Sequence, residues 1–169
     1  MDKQGFSEGF EAKPNTESKL FLERFTVSGN SVSAAVCVSP HDKRVDEELA
    51  GAILLLHPTL AKHTCKHRGF GYFGDKLIGT TLPHLVEHLA IDFLVEQNVR
   101  ASGDQKHLTR AVTAAVPSKP PQAIAGTTSW LDREQGRMQV RISCTAQSSD
   151  ATCTAIIHAI ALVNGLLEQ

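Results

Sequence analysis

The chain has 169 residues and a formal net charge of −1, with 41 % hydrophobic and 21 % charged residues. This suits one domain with a core of its own and the balance of a soluble globular protein. So even a charge gives no electrostatic case for binding nucleic acid or an anionic membrane.

Residues 1–18 mix charges with Gly5, Gly9 and Pro14 and contain no apolar core. They read as a flexible tail without a secretory signal, followed by a single domain over 19–169. Lys19 to Val27 and Ser31 to Ser39 are rich in Phe, Leu, Val and Thr, and Ser28-Gly29-Asn30 between them is a turn signal. The pair is expected to form a β-hairpin. Val32, Ala34, Val36 and Val38 share one face of its second strand, so one side packs and the other is partly wet.

Pro40 to Arg44 turn the chain. From Val45 to His57, Val45, Leu49, Ile53 and Leu56 recur at helical spacing, with acidic residues 46–48 in the first turn and Pro58 as the stop. The longest apolar run, Gly51 to Leu56, is far too short to span a bilayer. His63, Cys65 and His67 then alternate, followed by Gly69-Phe70-Gly71-Tyr72-Phe73-Gly74. An ordered loop explains this stretch better than a phosphate cradle, because no clear strand precedes it and Gly-Lys-Ser/Thr is missing.

Thr80 to Phe93 is the centre of the chain's chemistry. Thr80 or Thr81 can cap a helix, and Pro83 sits near its first position, where a missing N–H does no harm. His84 and His88 follow at i and i+4, about 40° apart on the helix surface, with Glu87 at i+3. His-x-x-Glu-His is the inverted form of the zincin helix, whose histidines hold Zn²⁺ and whose glutamate handles a proton. Ile91 and Val95 continue the histidine stripe, so this face is expected to be buried, where two imidazoles and a carboxylate need a common partner.

Beyond it, Asp104 to Val116 is read as a short helix and Pro117 to Pro121 as a rigid connector. Ala123 to Leu131 and Arg137 to Thr145 form a second hairpin, with Met138, Val140, Ile142 and Cys144 on one face of its last strand. Ser149 or Asp150 caps a final helix whose apolar side holds Cys153, Ile156, Ile157, Ile160, Val163 and Leu167. The order β-β-α-α-β-β-α points to an α+β, two-layer fold, an antiparallel sheet of two hairpins with helices on one face.

A catalytic zinc takes three protein ligands and leaves a position open. Two come from His84 and His88; Cys144 is the first choice for the third, because its strand parity turns it toward the helices. His63, Cys65 and His67 are rivals from the preceding loop, and His158 is a weaker one, whereas His41, His57 and His107 read as solvent or loop histidines. With Zn²⁺ in place, Glu87 takes the proton of an acidified water and passes it to the leaving group. The four cysteines show no Cys-x-x-Cys, which fits reduced thiols in the cytoplasm.

His63-Thr64-Cys65, Gly69-Phe70-Gly71-Tyr72-Phe73, Leu77-Ile78-Gly79-Thr80 and Leu82-Pro83-His84-Leu85-Val86-Glu87-His88-Leu89-Ala90 run in the order seen in the N-terminal domain of cyanophycin synthetases. Gly126-Thr127-Thr128 and the strand from Gly136 resemble later segments of that domain, so the resemblance covers roughly residues 20–165. It implies an α+β domain and, as in some members, a metal-dependent site that cuts an aspartate–arginine polymer, with His84, Glu87 and His88 in the matching positions. The chain departs from that family in having no ATP-grasp or Mur-ligase-like region, in its Gly-Phe-Gly-Tyr-Phe loop, and in Trp130-Leu131.

The leading expectation is a zinc-dependent hydrolase acting on a peptide or isopeptide-like amide. A non-catalytic domain binding a polymer or protein is the second, and a metal-dependent lyase or isomerase acting on a small polar metabolite the third. Self-association into a homo-oligomer stays open.

Overall fold

The computed structural model describes residues 20–40, 43–67, 69–101, 124–143 and 148–169. Four strands form one antiparallel sheet: β1 (Leu20–Ser28), β2 (Ser31–Val38), β5 (Ala125–Asp132) and β6 (Arg137–Ser143). Their order is β1-β2-β6-β5, so the two hairpins join through β2 and β6. A separate two-stranded ribbon consists of β3 (Thr64–Cys65) and β4 (Gly71–Tyr72). Among the described residues the α-helices are α1 (Glu47–Leu56), α2 (Leu82–Ala101) and α3 (Ser149–Leu167). Antiparallel hairpins and helices thus make the expected α+β, two-layer arrangement.

Strand alternation decides which sheet face is covered. Val32, Ala34, Val36 and Val38 of β2 and Met138, Val140 and Ile142 of β6 are buried, in register as Val32 with Ile142, Ala34 with Val140 and Val36 with Met138. Against them lie Leu85, Val86, Leu89, Ala90 and Leu94 of α2 and Ala155, Ile156, Ala159 and Val163 of α3, in one cluster. By length and composition α3 could cross a membrane. Here its apolar side instead packs on α2, β1 and β2, while Asn164 clamps Leu20 by donating to its carbonyl at 2.7 Å and accepting from its N–H at 3.0 Å.

Several boundaries differ from the sequence reading, each for a local reason. Asp46 is the cap of α1 and accepts from Leu49 N at 3.0 Å, which excludes Val45 from the helix. Val45 pairs through its backbone with Thr80 and Gly79, tying the entrance of α1 to that of α2. Ser148, not Ser149 or Asp150, caps α3 by accepting from Ala151 N at 3.1 Å. Ile157 is 47 % exposed, so it leaves the apolar side assigned to that helix. Val95 is 44 % exposed, so the stripe below the histidines opens outward instead of closing in the core. The helix expected over 104–116 and the connector over 117–121 lie outside the described residues, as does the tail over 1–18.

Candidate metal centre

The site grows from the start of α2. Thr81 caps it, its Oγ1 accepting from His84 N at 3.3 Å. Thr80 is thereby released, and its Oγ1 sits 3.2 Å from Nδ1 of His84. The opposite ring nitrogen, Nε2, faces Cys65 Sγ at 3.5 Å. His88, one turn on, stacks on Phe73 with ring centroids 3.7 Å apart and planes 15° apart. Cys65, His84 and His88 are all buried, and one ligand atom from each lies within 4.8 Å of the others.

The loop before α2 brings the cysteine there. Thr64 pairs with Tyr72 and Cys65 with Gly71, and Phe73 N donates to His63 O at 2.7 Å. Gly74 passes so close to the backbone of Ala61 that a β-carbon would meet it at 3.0 Å, one reason for a glycine there. Lys76 Nζ donates to the carbonyls of Cys65, at 2.9 Å, and of Gly69. His67 N donates to Cys65 Sγ at 3.4 Å. An ordered loop, as expected, thus carries a sulfur to the two imidazoles.

Behind the histidines lies a carboxylate that the sequence reading passed over. Asp92 is 2 % exposed and accepts from Thr59 Oγ1 at 2.8 Å, with His57 Nδ1 and His63 Nε2 each at 3.1 Å. Burial works against its ionisation, yet the donors His63, Thr59 and His57 hold its carboxyl below the usual range. Nδ1 of His63 then lies 3.5 Å from Nδ1 of His88. In the tautomer of His63 that donates through Nε2 to Asp92, Nδ1 offers a lone pair; His88 then donates to it through Nδ1 and leaves its own Nε2 facing the cleft side. The signal was available: Asp92 stands one turn beyond His88, on the same stripe.

His57, read as a solvent or loop histidine, lies in the loop after α1 and is there a half-buried partner of Asp92. His63 stands behind His88, and His67 is edge-on to His84 with centroids 5.0 Å apart. His158 is exposed and meets the ring of Phe93 at 6.4 Å, away from the cluster. Cys144, like His41 and His107, lies outside the described residues. Among the described residues it is Cys65 that joins His84 and His88.

Glu87 lies against β5. Thr128 Oγ1 donates to its Oε2, and Gly126 leaves the room it needs. Burial pushes its carboxyl up to about 7, against the pull of the Thr128 hydrogen bond. Burial, with the nearby His67 and Lys76 charges, lowers His84 to about 4; burial, with His84 and His63, lowers His88 to about 3. Both imidazoles are thus neutral at pH 7, with lone pairs free to ligate. Cys65, His84, Glu87 and His88 open on one cleft of about 720 Å³, walled by residues 124–128 of the β5 side and by the 63–67 loop.

The residues present fit zinc. One sulfur and two nitrogens form the borderline-soft set it favours, and three protein donors leave a position open. Thr80 behind His84 and Asp92–His63 behind His88 supply the outer contacts that orient ligating imidazoles. No family model, curated protein or solved structure matches the chain.

Proposed function

We propose that the protein is a zinc-dependent hydrolase that cuts a peptide or isopeptide-like amide. One observation carries this reading: Cys65, His84 and His88 converge, buried, in the same cleft as a carboxyl raised to about 7. In the proposed site these three side chains hold the metal. When bound there, zinc acidifies water and polarises a carbonyl.

Glu87 does the proton work. Its carboxylate, in the same cleft as the three ligand side chains, takes a proton from the attacking water and gives it to the departing nitrogen, which must leave as an amine. Thr128 holds the carboxyl through Oε2 and so fixes which way the other oxygen points. Asp92 and His63 keep His88 in one tautomer. The cleft between β5 and the 63–67 loop gives an amide access to these groups.

Amide hydrolysis agrees with the resemblance of residues 63–90 to the N-terminal domain of cyanophycin synthetases, some of which cut an amide-linked polymer. The proposal includes the cytoplasm as the site of action, where a ligand cysteine stays reduced. The test is metal analysis joined to amidase assay. About one zinc per chain, lost in His84→Ala, with Glu87→Gln keeping zinc but losing roughly 10²–10⁴-fold in rate, supports the reading. A chain that binds no zinc would leave a polymer- or protein-binding domain in its place.

A further inference from the structure

We propose that the cleft takes its substrate as an extended α-peptide laid along the free edge of β5, with an apolar side chain against Ile91 and Val95. This rests on the hydrolase reading and names the substrate class of that site. β5 is last in the order β1-β2-β6-β5, so alternate N–H and C=O groups along it point away from β6. Among the described residues no strand pairs with that edge. Residues 125–128 of this strand line the cleft that contains Cys65, His84, Glu87 and His88. An unpaired strand edge is a template for an incoming extended chain, whose main-chain bonds give affinity whatever its side chains.

The floor of the cleft matches such a guest. From His84 through His88, Ile91 and Val95 it follows α2, a rise of about 16 Å, the length of about five extended residues. Its lower part is apolar: Ile91 is half-buried, Val95 is exposed, and Ile124 faces them from the β5 side. These surfaces gain by covering an apolar side chain. Charge points the same way. Glu87 is the one carboxylate among the described lining residues, and the cationic Lys66 stands on the loop wall. Among the described residues a guanidinium-rich polymer would find no further carboxylate there to pair with.

The test gives the zinc-loaded full chain an end-blocked hexapeptide, acetyl-Ala-Ala-Phe-Leu-Ala-Ala-amide, a β-aspartyl-arginine oligomer, and copies of the hexapeptide N-methylated at one residue each. The expected result is cleavage of the hexapeptide with kcat/KM about tenfold or more above the oligomer. N-methylation should cost about tenfold at every second residue and little between, because only alternate amides face a neighbouring strand. A readout free of turnover is the hexapeptide added to zinc-loaded Glu87→Gln, where amide signals of residues 125–128 should shift. Cleavage of the oligomer alone overturns this inference and leaves the hydrolase reading standing. Hexapeptide cleavage without the alternation overturns strand addition. A zinc-loaded chain that cuts neither probe overturns the hydrolase reading, and unmoved 125–128 signals in Glu87→Gln overturn the peptide site separately.

Discussion

Gly126 on β5 lies against Glu87 on α2: a β-carbon at position 126 would stand 2.6 Å from both Cγ and Oε1 of the glutamate. Neither the strand nor the helix can yield freely, because β5 is held in register with β6 and α2 is packed in the core. Gly126→Ala therefore displaces the Glu87 carboxylate. The expected outcome is a loss of about 1–3 kcal/mol of stability, as for overpacking, and a fall in amidase rate of about 10²-fold, with zinc content unchanged. Thermal melts, metal analysis and rate measurement on one preparation check it; a fully active, stable variant would place the proton transfer elsewhere.

Asp92→Asn removes an anion that collects His57, Thr59 and His63. The amide can still accept through one oxygen, but its nitrogen would face a donor. His63 loses its fixed tautomer, and with it His88. Zinc affinity, read by competition with a chromogenic chelator, should weaken about 10–100-fold, while Thr59→Val should cost less. Equal affinities in Asp92→Asn and the unaltered chain would reduce this network to packing.

The metal-free chain should lose stability in acid. His84 and His88 titrate at about 4 and about 3 when folded, so unfolded chains bind two more protons there once the pH drops below about 6.5. The stability these imidazoles contribute is present above pH 6.5 and is lost as the pH falls toward 4 and 3. Glu87 works the other way. Its folded value of about 7 means that its contribution is present below about 4.5 and fades as pH rises through 7. Two imidazoles against one carboxyl leave a net difference of about one proton near pH 5.5, a slope of about 1.4 kcal/mol per pH unit. Urea melts between pH 5 and 6 measure it. Glu87→Gln removes the opposing group and should make the rise about twice as steep.

Much of this arrangement was legible in the sequence wherever the signal was local. His84, Glu87 and His88 are set by helix period alone, and the covered sheet face follows from alternation in β2 and β6. The place of Cys65 was legible only in part: it stood in the sequence as one of three rivals from the preceding loop, while Cys144 lies outside the described residues. Cys65 reaches the histidines through the two-residue ribbon of β3 and β4, too short to leave a periodic trace, whereas strand parity favoured Cys144. Thr128 and Gly126 meet Glu87 only because β5 packs beside α2, about forty residues on. Asp92 could have been found, since i, i+4 and i+8 lie on one stripe, but His57, Thr59 and His63 meet it only in the fold. Asp46 and Ser148 displaced the expected helix starts by a residue or two, because a cap is chosen by the geometry of its own backbone and not by the apolar pattern that follows.

Whether Cys65, His84 and His88 hold a metal is read from X-ray absorption at the zinc edge of the purified protein. The expected spectrum shows one zinc per chain with one sulfur at about 2.3 Å and two imidazole nitrogens at about 2.0 Å. Cys65→Ser should remove the sulfur neighbour and Cys144→Ser should keep it. A spectrum without sulfur, or one that loses its sulfur in Cys144→Ser and not in Cys65→Ser, would contradict this ligand set.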